Sequence, residues 1–357
     1  MGCTSSSLQP HTFDNFVGER EPSAPRKEQR KALVIANPYS GSKSGKKALE
    51  LINKAFGNAG ITSILKETQH AGHAEEIVQN TDLSDVDMLV SIGGDGTCHE
   101  IVNGLLGRQD AESYKHVTIS IIPCGTGNTV AYDLGIVSVE DAIQKTIEGN
   151  KRIIDVMECT NHKSTSTSSK EDVSPDWKRY AINIVGGGLS PAVLQVGNKM
   201  RWLGKGVRYE FAAYIEVLSN KAYECTIEFP EDETTVDAVT REVVKEPKKY
   251  TIMQAQNTIF MGEKVPFAPK AKLDDGLIDL VLISFGTRIA FVNTIDAAKK
   301  NKHLEGNNVT YIQCKEFTMT PTTKEQCGKE SLNIDGDLYG SLPVRVKCLK
   351  QVLNVIC

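Results

Sequence analysis

The most restrictive feature of this sequence is an apolar strand that breaks into glycines just before a helix, and it recurs. Met88–Ile92 runs into Gly93-Gly94-Asp95-Gly96-Thr97. Val117–Ile122 runs into Pro123-Cys124-Gly125-Thr126-Gly127-Asn128. Ala32–Ala36 is stopped by Asn37-Pro38 and followed by Tyr39-Ser40-Gly41. Short apolar runs bounded by such turn residues are strands buried on both faces. Between them the spacing becomes helical: Ala48, Leu49, Ile52 and Phe56 within Lys46–Phe56, then Ala74–Gln79, Glu100–Leu106 and Thr129–Leu134. Ile61–Lys66 adds another strand. Strand alternating with helix over Ala32–Ile147 predicts an α/β domain, a parallel sheet covered on both faces.

The pattern changes after Asp155. Strand-like runs dominate at Arg179–Val185, Ala222–Phe229, Tyr250–Asn257, Gly276–Ser284, Tyr311–Met319 and Val344–Leu349, with helices at Tyr209–Leu218 and Ile289–Lys299. A β-sandwich is expected. The chain therefore divides into a polar tail at 1–30, an α/β domain at 31–155 and a sandwich at 156–357, with a polar insertion at 161–176. Glu231–Pro247 reads as a second solvated loop. A length of 357 residues with 40% hydrophobic content supplies two cores.

Net charge is −4 and there is no long Lys/Arg block, which argues against nucleic acid as a partner. No apolar stretch approaches the roughly 18–20 residues of a membrane span. Nine cysteines without a C-x-x-C pair indicate reduced thiols and a cytosolic setting. Met1-Gly2-Cys3-Thr4-Ser5-Ser6 fits the N-myristoylation pattern, with Gly2 as acceptor and Cys3 as a palmitoyl site beside it. Two acyl chains anchor stably where one does not, so peripheral attachment to the cytosolic face of a membrane is expected.

Three glycines within Gly93–Gly96 let backbone N–H groups approach an anion closely. An aspartate repels phosphate, so Asp95 belongs there only if it binds Mg²⁺ or takes a proton from an attacking hydroxyl. The expected helix at Glu100 adds a favourable dipole. Glycine-rich loops at the carboxyl ends of strands in one parallel sheet face one crevice, suited to a nucleotide. Asn37–Lys46 is not a Walker A loop, because Gly41 to Gly45 spans three residues and Lys46-Lys47 follows. No G-x-G-x-x-G occurs in the glycine loops. His99-Glu100 lacks the second histidine of a zinc-protease helix, and His70 and His73 with Glu75 and Glu76 read as a solvated turn.

The ordered motifs NPYSGSKSGK (Asn37–Lys46), SIGGDGTCHEIVNGLL (Ser91–Leu106), IPCGTGN (Ile122–Asn128), KLDDGLIDL (Lys272–Leu280) and NIDGDL (Asn333–Leu338) resemble the catalytic region of diacylglycerol, sphingosine and ceramide kinases. The resemblance runs from about Lys31 to the C-terminus. It implies an NAD kinase- and phosphofructokinase-like α/β domain followed by a β-sandwich, with ATP and Mg²⁺ between them. It places Asn37, Pro38, Tyr39, Ser40 and Thr68 along the nucleotide, and makes Asp95 the base within Gly93, Gly94, Gly96 and Thr97. Glu100, Gly125, Thr126, Gly127 and Asn128 form the nucleotide floor. Arg201 and Arg208 face phosphate, and Asp335, Gly336 and Asp337 lie near nucleotide and metal. Asp95 and Asp337 would meet Mg²⁺, and Asp274, Asp275 and Asp279 would hold a structural cation.

Two departures bear on the acceptor. Thr129 stands where diacylglycerol kinase-like members carry the aspartate of G-T-x-N-D. Gly186–Val196, matching the lipid-pocket segment, holds no carboxylate, with Leu194 near the place of the acid that sphingosine kinases use. A neutral lipid, diacylglycerol or ceramide, is therefore expected over a sphingoid base. A soluble NAD or sugar-phosphate kinase and a catalytically silent lipid-binding scaffold are the alternatives.

Overall fold

The computed structural model describes residues 30–161, 176–200, 212, 223–230, 248–262, 265–284, 287–322 and 331–357. Gly2, Cys3, Arg201 and Arg208 lie outside the described residues, as do most of the predicted insertion at 161–176, the loop at 231–247 and the predicted helix at 209–218 apart from Ala212.

The first half folds as its alternation predicts. Strands β1 (Lys31–Ala36), β2 (Thr62–Glu67), β3 (Met88–Gly93) and β4 (Thr118–Pro123) are parallel in the order β2-β1-β3-β4. Helices α1 (Ser44–Ala59), α2 (His73–Asn80) and α3 (Asp95–Leu106) make the crossovers, and α4 (Thr129–Asp133) and α5 (Val139–Glu148) follow β4. Apolar runs on β1, β3 and β4 are buried on both faces, where Leu33, Ile35, Leu89 and Ile119 meet Ile52 and Phe56 of α1 and Ile101 of α3. β2 is the edge strand and all six of its residues are exposed. Helix α3 starts at Asp95, not at Glu100 as the sequence suggests. Gly94 is its N-cap, so Asp95 and Gly96 belong to the first helical turn.

The second half supplies β5 (Lys151–Asn161), β6 (Lys178–Ala181), β7 (Ile184–Gly188), β8 (Tyr223–Glu228), β9 (Lys248–Tyr250) and β10 (Ile252–Gln256). A small hairpin, β11 (Phe260–Met261) and β12 (Val265–Pro266), precedes β13 (Ile278–Ile283), β14 (Val309–Cys314), β15 (Glu316–Pro321), β16 (Leu332–Ile334), β17 (Asp337–Tyr339) and β18 (Val344–Ile356). One antiparallel sheet has the order β14-β13-β10-β7-β16-β17. It packs against β5, β8, β15 and β18, and Met157, Ile227, Phe317 and Val346 interdigitate with Met253, Leu280, Ile312 and Leu332. This is the expected sandwich. Its outer face, bearing Val281 and Tyr311, is covered by Leu189 of α6 (Leu189–Lys199), Phe291 of α7 (Arg288–Lys299) and the nearby Phe267.

Strand β18 joins the halves. Most of it pairs antiparallel with β5 and β15, but Asn354 and Val355 pair in parallel with Thr118 and Ile119 of β4. The parallel sheet thus continues as β4-β18-β15-β8-β9, with β5 and β6 alongside β18. The register of β18 on β5 shifts between Leu349 and Leu353. Buried Asp155 holds that irregularity by accepting the N–H groups of Gln351 (2.7 Å) and Gly276 (2.6 Å).

Candidate active site

The carboxyl ends of the parallel strands bring Asn37, Thr68, Gly94 and Cys124 to one end of the sheet. The backbone stitches them together. Asn37 N–H donates to Ile92 O (2.9 Å), Thr68 N–H to Ala36 O (2.9 Å) and Cys124 N–H to Gly93 O (2.7 Å). Ser40 Oγ donates to Cys124 O at 3.2 Å. The glycines serve contact between loops as much as ligand approach. A Cβ on Gly94 would stand 3.0 Å from Gly125 Cα, and one on Gly127 would stand 2.5 Å from Asp95 Oδ2. A Cβ on Gly96 would meet nothing within 4 Å, so that side of the α3 N-terminus is open. The N–H groups of a first helical turn have no intrahelical acceptor, which suits an anion there. Asn128 closes the second loop in the left-handed region (φ 52°). Its Oδ1 accepts Gly125 N–H and its Nδ2 donates to Gly125 O, each at 2.9 Å.

Asp95 sits between the two loops. Its Oδ1 accepts Thr129 N–H at 2.8 Å from the start of α4. Burial is the largest influence on this carboxyl and raises its pKa. The charge of Asp335 acts in the same direction, and the N–H groups of Thr129, Val130 and Asn128 oppose both. A carboxylate with raised proton affinity at the open end of a glycine-rich helix start has the property a general base needs.

Asp335 arrives from the sandwich. It occupies the left-handed region (φ 51°) in the β16–β17 turn. Its oxygens accept the N–H groups of Ile182 (2.9 Å), Asn183 (2.9 Å) and Ile184 (2.8 Å), and His99 Nδ1 lies 2.9 Å away. This buried carboxylate is thus engaged on both oxygens and locks α3 to the break between β6 and β7. Beside it, Asn103 accepts Tyr180 N–H and donates to Tyr180 O, both at 2.8 Å. Gly336, in the same turn, and Asp337, at the start of β17, are exposed.

Other predicted residues take defined places. Both oxygens of Glu100 cap α2, accepting Gly72 N–H (2.8 Å) and Ala74 N–H (3.0 Å). Thr97 is buried against Gly93, Thr126 is exposed, and Tyr39 is 81% exposed beside Pro38. Asp274, Asp275 and Asp279 each have a separate partner. Asp274 pairs with Arg152 (2.9 Å), Asp275 accepts Leu277 N–H (3.0 Å), and Asp279 accepts the hydroxyl of Tyr311. They do not come together as a metal cluster. Among the described residues, the only set of three with ligand atoms mutually within 4.8 Å is His70, His73 and Glu76. There His73 Nδ1 accepts Gln69 N–H at 3.0 Å and the two imidazoles stack, so the pair shapes the turn before α2.

Sequence reasoning missed several contacts that bind the halves together. Arg179 grips Glu75 of α2 with its two terminal nitrogens (2.7 and 2.6 Å) and lies over the Tyr339 ring. His99 and Asn103 stand four apart on α3 and so share a face, which was the available signal for a polar contact from that helix.

Residues 31–159 match the family model of the diacylglycerol kinase catalytic domain, and residues 183–357 match the YegS C-terminal NAD kinase beta sandwich-like domain. The chain belongs to the diacylglycerol kinase and sphingosine kinase family of lipid kinases. The kinase is 26% identical over 330 residues to a diacylglycerol kinase of Bacillus subtilis, covering 92% of this chain and 96% of that one. It is 26% identical over 360 residues to a protein of Arabidopsis thaliana named sphingosine kinase 1, covering 91% of this chain and 71% of that one. A crystal structure of a diacylglycerol kinase from Bacillus anthracis shares the fold, with a TM-score of 0.62 at 18% identity over 93% of this chain and 98% of that one. No described helix is long and apolar enough to cross a membrane.

Proposed function

We propose that this kinase transfers the γ-phosphoryl group of ATP to the hydroxyl of a neutral lipid at a membrane surface, with Asp95 as the base. The observation that carries the reading is the Asp95 carboxyl, raised in proton affinity by burial and held by Thr129 N–H beside the open start of α3. In-line transfer needs little covalent help from the protein, so positioning and charge stabilisation dominate. N–H groups at the start of α3 face the phosphates, and Asp95 orients and deprotonates the lipid hydroxyl. The hard oxygens of Asp95 and exposed Asp337 are the donor type Mg²⁺ prefers, so these two residues would hold the ion, which would supply positive charge against the phosphates.

Diacylglycerol and ceramide are the favoured acceptors. α6 contributes no carboxylate and Leu194 is buried in it, so an ammonium finds no counter-charge on that helix. The test is incubation of the pure protein with labelled ATP and diacylglycerol, ceramide, sphingosine or monoacylglycerol. Transfer to none of them would leave the soluble-kinase or scaffold alternatives.

The raised Asp95 pKa gives an expected pH profile. The base must be ionised, so kcat/KM falls as pH drops through that pKa. The acid limb should lie above the roughly 3.9 of an ordinary aspartate. A limb at or below that value in a pH–rate series would remove Asp95 from the role.

Membrane attachment rests on Gly2 and Cys3. Gly2→Ala is expected to shift the protein from membrane to soluble fractions, and Cys3→Ser to do so in part, because one acyl chain is marginal. Unchanged fractionation of both variants would exclude acyl anchoring.

A further inference from the structure

The outer face of the β14-β13-β10-β7-β16-β17 sheet is apolar under α6 and α7, except for one polar patch. Gln254 and Gln256 are two apart on β10 and point to that face. In register across the strands run Ile184, Gln256, Asp279 and Gln313. Gln254, Gln256 and Asp279 are at most 1% exposed. Yet Nε2 of Gln254, both amide atoms of Gln256 and Oδ2 of Asp279 have no hydrogen-bond partner among the described residues. The other Asp279 oxygen accepts Tyr311 OH and Gln313 Nε2.

A buried polar group left without a partner is costly, and native interiors rarely keep several side by side. The row begins at Ile184, whose N–H is held by Asp335, the residue whose charge reaches Asp95. Adjacent strands are about 4.8 Å apart, so Gln256 stands one strand and Asp279 two strands from that catalytic end. The next row along the same face places Asn333 opposite Gly186, and Asn333 Nδ2 donates to Ser190 Oγ of α6 at 2.9 Å.

We propose that Gln254, Gln256 and Asp279 form the polar end of the acceptor pocket and select a lipid whose linkage is an amide, the ceramide class. This inference rests on the lipid-kinase reading above and narrows it. A trans secondary amide carries its N–H and C=O on opposite sides. It needs an acceptor on one side and a donor on the other. Gln256 Oε1 and Asp279 Oδ2 take the N–H, and Gln254 Nε2 donates to the C=O. Ester-linked diacylglycerol offers acceptors beside its reacting hydroxyl, leaving Gln256 Oε1 and Asp279 Oδ2 without donors. A free sphingoid base has no carbonyl for the glutamine N–H groups.

The test compares kcat/KM for N-octanoyl sphingosine, dioctanoylglycerol and sphingosine in mixed micelles, using the full chain and the variants Gln256→Met and Gln254→Met. The native protein should favour the amide lipid over the glyceride by about tenfold or more. Each variant should cut that ratio by a similar factor, with its melting temperature held or raised because an unpaired buried amide is gone. Internal waters satisfying the glutamines would instead leave the ratio unmoved in folded variants, and that result overturns the inference. A native preference for the glyceride or for sphingosine overturns it too, while leaving the lipid-kinase reading intact. Transfer to no lipid sinks both. If one variant fails to fold, the ratio in the other decides.

Discussion

Asp95→Asn is expected to reduce phosphoryl transfer by about 10²–10⁴-fold, the usual consequence of losing a positioned base. Asparagine keeps an oxygen where Oδ1 accepts Thr129 N–H, so the join between the two glycine loops survives. It also relieves the desolvation that raises the carboxyl pKa. The variant should therefore melt no lower than the parent while failing to turn over. Asp95→Ala is different, because it leaves Thr129 N–H unsatisfied and should lose stability as well. Near-normal kcat in a folded asparagine variant would exclude Asp95 as the base.

Asp335→Ala is expected to lower stability by about 4 kcal/mol or more, a large share of the roughly 5–15 kcal/mol of a typical domain. Three buried N–H groups and His99 lose their acceptor together. Each such loss costs about 1–3 kcal/mol. Alanine also sits poorly at φ 51°, a conformation aspartate and asparagine tolerate better. Urea unfolding monitored by circular dichroism measures the loss. Asp335→Asn separates structure from electrostatics. Its amide keeps one of the two acceptor oxygens, so it costs less stability than alanine, and it removes a negative charge that raises the Asp95 pKa. Its activity profile should keep its shape with the acid limb moved to lower pH. An unmoved limb would show that the Asp335 charge is not felt at Asp95.

The alternation of apolar runs and glycine loops made the parallel sheet and its crevice legible, because period and turn chemistry are local properties. What escaped the sequence depended on distant partners. Tyr311–Met319 reads as one strand but turns at Lys315, giving β14 to one sheet and β15 to the other. Arg179–Val185 likewise breaks at Ile182-Asn183, where the Asp335 carboxylate substitutes for strand pairing. α6 was hidden by three glycines before it and by Pro191, which is harmless in the first turn of a helix. Glu100 and Asp335 were placed at the nucleotide by resemblance. Their charge and position in the motifs were visible, but not the backbone N–H groups of α2 and β7 that now occupy them. The polar row on β10, β13 and β14 was equally hidden, since only strand register aligns Gln256 with Asp279 and Gln313.

The placement of β18 beside β4 has a consequence for biogenesis. The ribosome releases residues 31–159 long before it releases Asn354 and Val355, which cover the open side of β4. Until then the nascent sheet carries an unpaired, apolar strand edge, a template for pairing with other chains. Closing it requires contacts between distant parts of the chain, which form slowly. The catalytic-domain match at 31–159 is therefore a unit of sequence but not of folding. Expressed alone, that segment presents β4 to solvent and lacks the Leu353 and Val355 side chains that complete its core. Completion of the catalytic sheet is thereby coupled to synthesis of the sandwich half, so a truncated chain does not yield a finished parallel sheet.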